Sequence, residues 1–237
     1  MPTLTWLGQS GFLVESAGER LLIDPFFSEH EGRMFPPPPI DEFGSRIDRV
    51  LVTHEHLDHL DAESLPLIAE RSPGVEVVVP APIARDGFTG VRPGDRFDGI
   101  TVVPALHAVH PGDGYGDHGG RFVGYVLERD DVSIYHAGDT IAGDELVAAL
   151  EPLRIDVALL PVNGRSYFRE QQGLAGNMDV RDAVALAVHI GARTLVPMHW
   201  DLMKGNLERA GAATDEAYAT EAPVHVVSLA RGVPWSP

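Results

Sequence analysis

Val50-Leu51-Val52-Thr53-His54-Glu55-His56-Leu57-Asp58-His59 is the stretch on which the fold turns. Its opening residues read as a buried strand over 49–53, and a helical pattern over 61–70 follows, with Asp61 placed as an N-cap. Between strand and helix the chain carries four groups able to bind a metal. Residues two apart in extended chain face the same side, so His54 and His56 can grip one ion. Asp58 and His59, where the chain turns toward the helix, can reach a second ion beside it.

Three later segments place a His or Asp where a buried strand gives out: Pro104-Ala105-Leu106-His107, Tyr135-His136-Ala137-Gly138-Asp139-Thr140 and Val196-Pro197-Met198-His199. Strands are predicted at 20–23, 49–53, 75–79, 100–103, 122–127, 132–135, 157–162, 195–198 and 224–229. Helices are predicted at 61–70, 144–150, 179–190 and 207–220, the third opened by Asp179 and closed by Gly191. Strands interleaved with helices imply an α/β architecture with helices covering the sheets, expected as one domain over residues 1–237. Ligands gather at the carboxyl ends of strands in such sheets, so these separated residues can converge. Two long segments, 28–43 with Pro36-Pro37-Pro38-Pro39 and the Gly- and Asp-rich 111–120, are long enough to wall a site.

Composition narrows the chemistry. The 237 residues contain no cysteine, which removes disulfides, thiolate nucleophiles, iron-sulfur clusters and Cys-ligated zinc. Any metal must sit on His, Asp or Glu. The net charge of −17, with Lys204 the only lysine, opposes a long nucleic acid or an anionic membrane, whose binders need clustered cations. The N-terminus has no basic and apolar leader pattern and no apolar run is long enough to span a bilayer, so the expected location is the cytoplasm.

Taken together, His54-x-His56-x-Asp58-His59, a later His, an Asp after a strand and a final His resemble the metallo-β-lactamase superfamily. The resemblance covers nearly the whole chain and implies a four-layer αββα sandwich with one or two ions at its edge. It implies that His54, His56 and His107 hold the first metal, that Asp58, His59 and His199 hold the second, and that Asp139 bridges them. Asp24, after Leu21-Leu22-Ile23, corresponds to an aspartate that supports the ligands without touching metal. Trp6-Leu7-Gly8-Gln9-Ser10-Gly11-Phe12, Ile23-Asp24-Pro25, Gly176-Asn177-Met178 and Pro197-Met198-His199-Trp200-Asp201 look like the branch containing ascorbate-6-phosphate lactonase. That branch implies manganese, whereas the wider superfamily implies zinc; an all-His/Asp site also suits iron.

Other residues are weighed against ordinary structural roles. His110 is an alternative to His107 or a substrate contact, with His107 favoured because it follows its strand at once. His136 is read as support for the site or core, His30 and His118 as loop residues, and His189 and His225 as packing. Asn163 and Arg165 follow a strand toward the metal side; Arg165, with Arg169 and Lys204 in reserve, can pair with a phosphate or carboxylate, or equally form a surface ion pair. Tyr167, Asn177 and Trp200 are candidates for the pocket wall.

The expected activity is hydrolysis by a metal-activated water, with Asp58 and Asp139 as the catalytic carboxylates and two divalent ions, zinc or manganese, as cofactors. The expected substrate is a small, anionic molecule with an ester-like bond, first a lactone or a phosphorylated sugar-acid derivative. A phosphodiesterase for small or cyclic diesters and a non-catalytic metal-binding module are the competing readings, and a thioesterase or sulfur-oxidising role stays open. Exposed edge strands of such sandwiches permit a homo-oligomer.

Overall fold

The computed structural model describes residues 1–108, 116–164 and 176–237. The first sheet is built from β1 (Thr3–Gly8), β2 (Gly11–Ser16), β3 (Glu19–Ile23), β4 (Arg49–Leu51), β5 (Glu76–Pro80), β6 (Phe88–Val91) and β14 (Pro234–Trp235), in the order β14-β1-β2-β3-β4-β5-β6. The second holds β7 (Arg96–Phe97), β8 (Ile100–Pro104), β9 (Val123–Arg129), β10 (Val132–His136), β11 (Val157–Pro161), β12 (Thr194–Met198) and β13 (His225–Val226), in the order β13-β12-β11-β10-β9-β8-β7. Both sheets are mixed: β3 to β6 run parallel in the first, β10 to β13 in the second.

Inner faces of the two sheets meet in one core, where Leu4, Phe12, Leu21, Ile23 and Leu51 from the first pack with Ile100, Tyr125, Leu127, Ile134 and Leu159 from the second. On the outer face of the first sheet Leu13, Leu22, Val50, Val77 and Val79 lie under α1 (Ile40–Phe43) and α2 (Ser64–Arg71), which contribute Phe43, Leu65 and Ile68. Outside the second sheet lie α3 (Asp144–Leu150), α4 (Val180–His189) and α5 (Ala212–Ala219), with Leu146, Leu150, Val184, Leu186 and Ala213 buried. The result is the αββα sandwich. Each fully buried Leu, Ile or Val contributes about 1.5–3 kcal/mol.

Several boundaries differ from the sequence reading, each for a local reason. The hairpin of β1 and β2 precedes the first predicted strand; β2 is buried on both faces, so its residues do not alternate as a half-exposed strand would. α2 starts at Ser64, three residues after Asp61, whose carboxylate accepts from the Ser64 N–H (3.3 Å) at the helix start and also from the backbone N–H groups of Phe27 (2.9 Å) and Ser28 (2.8 Å), tying a loop to it. Asp179 does cap α4, accepting from the Asp182 N–H at 2.9 Å. The predicted helix over 207–220 shortens to α5, which follows Gly211 at φ 81°. The predicted strand over 224–229 pairs only at His225–Val226. No helix among the described residues is long and apolar enough to cross a membrane.

Candidate metal centre

The carboxyl ends of β4, β8, β10 and β12 meet along one seam between the sheets. Thr53 joins both sides of it: its carbonyl accepts from the Val123 N–H at 3.1 Å, while the Tyr125 hydroxyl donates to the Val52 carbonyl at 2.7 Å. Beyond β4 the chain winds tightly, with the N–H groups of His59 (2.9 Å) and Leu60 (2.8 Å) both donating to the His56 carbonyl. That winding folds His54, His56 and His59 onto one another. The ring of His54 lies 4.6 Å from His56 and 4.0 Å from His59, centroid to centroid.

The remaining residues arrive from the second sheet. Past β8, Leu106 donates its N–H to Thr140 Oγ1 at 2.9 Å, and His107 forms a β-bridge with Gly116, which brings its ring 5.4 Å from His54 and 5.3 Å from His56. Past β10, Gly138 takes φ 62°, and a Cβ placed there would sit 2.8 Å from the Thr53 Cβ. Only glycine allows this approach, which delivers Asp139 into the seam. Past β12, His199 takes φ 60° and stacks on His59 at 5.5 Å.

Two groups of facing ligand atoms result: His54, His56, His107 and Asp139 in one, and Asp58, His59 and His199 in the other, the atoms of each lying within 4.8 Å of one another. Asp139 stands between them, with Oδ2 3.7 Å from His107 Nε2 and Oδ1 3.4 Å from His59 Nε2 and 3.2 Å from His199 Nε2. Asp58 Oδ2 lies 3.6 Å from His59 Nε2 and 3.4 Å from His199 Nε2.

Tautomers are set from behind. Asp24, fully buried at φ 44°, accepts from the Thr53 N–H (2.8 Å), the Thr53 hydroxyl (2.7 Å) and His59 Nδ1 (2.7 Å). Since the Thr53 proton is committed to Asp24, its oxygen accepts from His54 Nδ1 at 3.0 Å. His54 and His59 are therefore both held with Nε2 directed into the seam, as ligating histidines are. His136 faces away: Nε2 donates to the Ser10 carbonyl at 2.8 Å and Nδ1 accepts from the Gly138 N–H at 3.2 Å, which fixes the turn that carries Asp139.

The electrostatics divide the histidines. Burial, joined by His59, pushes His54 well below the usual imidazole range, and burial pushes His107 down to about 4. Burial also opposes charge on His59 and His199, but the facing carboxylates win: Asp139, Asp58 and Asp24 raise His59 well above its usual range, and Asp139 with Asp58 raises His199 to about 9. In turn His59 and His199 overcome burial to hold Asp58 and Asp139 well below the carboxylate range. Protons on two imidazoles thus stand where positive charge is wanted. His59 Nε2 and Asp139 Oδ1 are buried yet have no hydrogen-bond partner among the described residues. Buried polar atoms are rarely left so, and a divalent cation among these nitrogen and oxygen donors would satisfy both.

Asn163 and Asn177, expected on the substrate side, form a chain behind His199. Asn177 Nδ2 donates to Asn163 Oδ1 (3.0 Å), Asn163 Nδ2 donates to Asn206 Oδ1 (2.8 Å), and Asn206 lies 3.4 Å from His199 Nδ1. His110 and Arg165, with Tyr167 and Arg169, lie outside the described residues. His30 accepts from the Gly32 N–H, His118 packs on Phe122, His189 lies 3.4 Å from Glu151 at the surface, and His225 is exposed. Trp200 stacks on Trp6 at 5.6 Å. The 28–43 segment is stitched to the loop after His199, with Met34 N–H donating to the Leu202 carbonyl at 2.7 Å and Lys204 N–H to that of Gly32 at 2.9 Å. Asn206 was not singled out from the sequence, and Gln9 stood there only within the 6–12 stretch of the family resemblance, with no role at the site assigned to it.

Residues 19–200 match the family described as the β-lactamase superfamily domain. A UPF0173 metal-dependent hydrolase of Methanoculleus marisnigri is 36% identical over 218 residues, covering 86% of this chain and 85% of that protein. Another of that group, from Koribacter versatilis, is 32% identical over 210 residues, covering 83% of each. Among solved structures, Igni18, a metallo hydrolase from the archaeon Ignicoccus hospitalis, is similar with a TM-score of 0.73 at 23% identity, covering 99% of this chain and 98% of that one.

Proposed function

Because this chain belongs to the β-lactamase superfamily, among the UPF0173 metal-dependent hydrolases, we propose that it hydrolyses a small ester-like bond, a lactone or phosphorylated sugar-acid derivative, at a two-ion centre. The observation that carries this reading is Asp139 placed between two facing ligand groups, with buried Oδ1 and the neighbouring His59 Nε2 left without hydrogen bonds among the described residues. His54, His56 and His107 would hold one ion, Asp58, His59 and His199 the other, and Asp139 both. Divalent ions there supply Lewis acidity and bring the pKa of a coordinated water from 15.7 to about 7.

The chain's own groups do the rest. Asp58, about one-fifth exposed at 21% and kept ionised by His59 and His199, is placed to take a proton from the attacking water and to pass it to the leaving oxygen. Asp139, 7% exposed, fixes the two ligand groups against each other. Asp24 and Thr53 keep His54 and His59 in the ligating tautomer. A chain with net charge −17 favours a small substrate over a polynucleotide.

The test is a screen of metal-reconstituted protein against lactones, sugar-acid phosphates, simple esters and small phosphodiesters. Turnover of lactones or sugar-acid esters, abolished by Asp139→Ala, supports the proposal. Turnover confined to phosphodiesters would replace the substrate class, and full metal loading with no turnover of any of them would favour a binding module.

A further inference from the structure

Gln9 lies in the stretch 6–12 that resembles the lactonase branch, yet that resemblance assigns it no role. It occupies the two-residue turn between β1 and β2, is 1% exposed, and holds φ 53°, a backbone region that side-chain-bearing residues enter reluctantly. Three hydrogen bonds pin it there: its N–H donates to Asp201 Oδ1 (3.1 Å), and its carbonyl accepts from Trp6 Nε1 (3.0 Å) and the His199 N–H (2.9 Å). The last of these ties the turn of one sheet to the metal-side end of β12 in the other. So held, the carboxamide points into the second ligand group. Its Nε2 lies 2.7 Å from Asp58 Oδ2 and 3.0 Å from His199 Nε2.

Those two atoms are ligand atoms of that group, so a cation joined to both meets the Gln9 carboxamide as a near neighbour. An N–H directed at a cation is repelled, whereas the carboxamide oxygen of the same group is a hard donor. A half-turn about the last side-chain bond exchanges the two without moving the backbone. We propose that Gln9 is a protein ligand of the ion held by Asp58, His59 and His199, through its carboxamide oxygen, an inference that rests on the two-ion reading above. As the carboxamide stands, its Nε2 donates to Asp58 Oδ2. With Gln9 and Asp139 included, that ion draws on three oxygen and two nitrogen donors, a set suited to manganese or iron rather than four-coordinate zinc.

Two variants separate the ligand role from a hydrogen-bonding one. Gln9→Met keeps the length but removes both the oxygen donor and the N–H, and Gln9→Glu keeps an oxygen donor while losing the N–H. Affinity for each ion is read by chelator competition on wild type and both variants, with thermal unfolding as a folding control. Cobalt(II) absorption at the second group supplies a readout independent of turnover. Gln9→Met is expected to weaken the second ion about 10- to 100-fold, leave the first unchanged, and intensify the cobalt bands as the coordination number falls. Gln9→Glu is expected to retain or exceed wild-type affinity. Wild-type affinity and spectrum in Gln9→Met overturn the inference, as does a Gln9→Glu protein as weak as Gln9→Met. Failure of the wild type itself to bind a second ion would instead overturn the two-ion reading.

Discussion

Asp24→Asn isolates the groups that hold the ligands from the ligands themselves. The wild-type carboxylate, fully buried, accepts three hydrogen bonds at 2.7–2.8 Å, from the Thr53 N–H, the Thr53 hydroxyl and His59 Nδ1. An asparagine of the same shape keeps one acceptor, for the backbone N–H, and turns an NH2 toward the other two. His59 must then either leave Nδ1–H unpaired or move its proton to Nε2, the atom that faces the seam. Hydrogen bonds to a charged group are worth about 1.5–3 kcal/mol each, so the metal-free fold should lose about 2–4 kcal/mol after the Thr53 hydroxyl re-orients. Proton transfer to Nε2 should weaken the second ion about 10- to 100-fold, or about 1.4–2.8 kcal/mol. The His54 half, reached only through Thr53, should change less. The assay is competition with a chromophoric chelator, resolved into two binding steps, alongside urea denaturation of the metal-free protein. Wild-type affinity at both steps would refute the claim that Asp24 sets the tautomer of His59.

Other consequences can be measured in the same preparations. The folded-state pKa of His199, about 9, exceeds the unfolded value of about 6.5, so its contribution is complete below 6.5 and is lost as pH rises through 9; metal-free protein should therefore lose stability to urea across that window. Zinc or manganese must displace the same proton, so calorimetry at pH 7 in buffers of different ionisation enthalpy should show proton release on metal uptake, and uptake without release would contradict the charge arrangement. Gly138→Ala forces a Cβ to within 2.8 Å of the Thr53 Cβ at φ 62° and should cost about 1–3 kcal/mol while lowering metal affinity; unaltered binding would mean that Asp139 does not depend on this approach. Ile68→Ala, buried between α2 and the first sheet, should cost about 2–5 kcal/mol and leave metal stoichiometry alone; a changed stoichiometry would tie the centre to the outer layer.

Legibility of the fold followed the locality of its signals. The four residues from His54 to His59 lie in one short stretch after an obvious strand, so their chemistry could be read without tertiary information. His107, Asp139 and His199 were reachable because each follows the end of a buried strand within three residues. The first hairpin was not, since Thr3–Gly8 and Gly11–Ser16 are buried on both faces and give no alternation to read. The roles of Gln9 and Asn206 escaped for different reasons. Gln9 sits in a turn whose partners Asp58 and His199 lie 49 and 190 residues along the chain, the second reached only where the sheets meet. Asn206 lies in the irregular loop seven residues after His199, where no periodic pattern marks which side chain turns back to the ring. Asn177 illustrates the converse: at 1% exposure it is committed to Asn163 rather than open to solvent, which the polar character of its segment did not foretell.

The central claim is that Asp139 joins two ligand groups into one two-ion centre, and metal content per chain tests it most directly. Elemental analysis of wild-type protein purified without chelator or a metal-binding tag should give about two divalent ions per chain, falling in Asp139→Ala while that variant stays folded. No uptake by wild type, even after reconstitution with zinc or manganese, would contradict the account, as would an Asp139→Ala protein that still holds both ions.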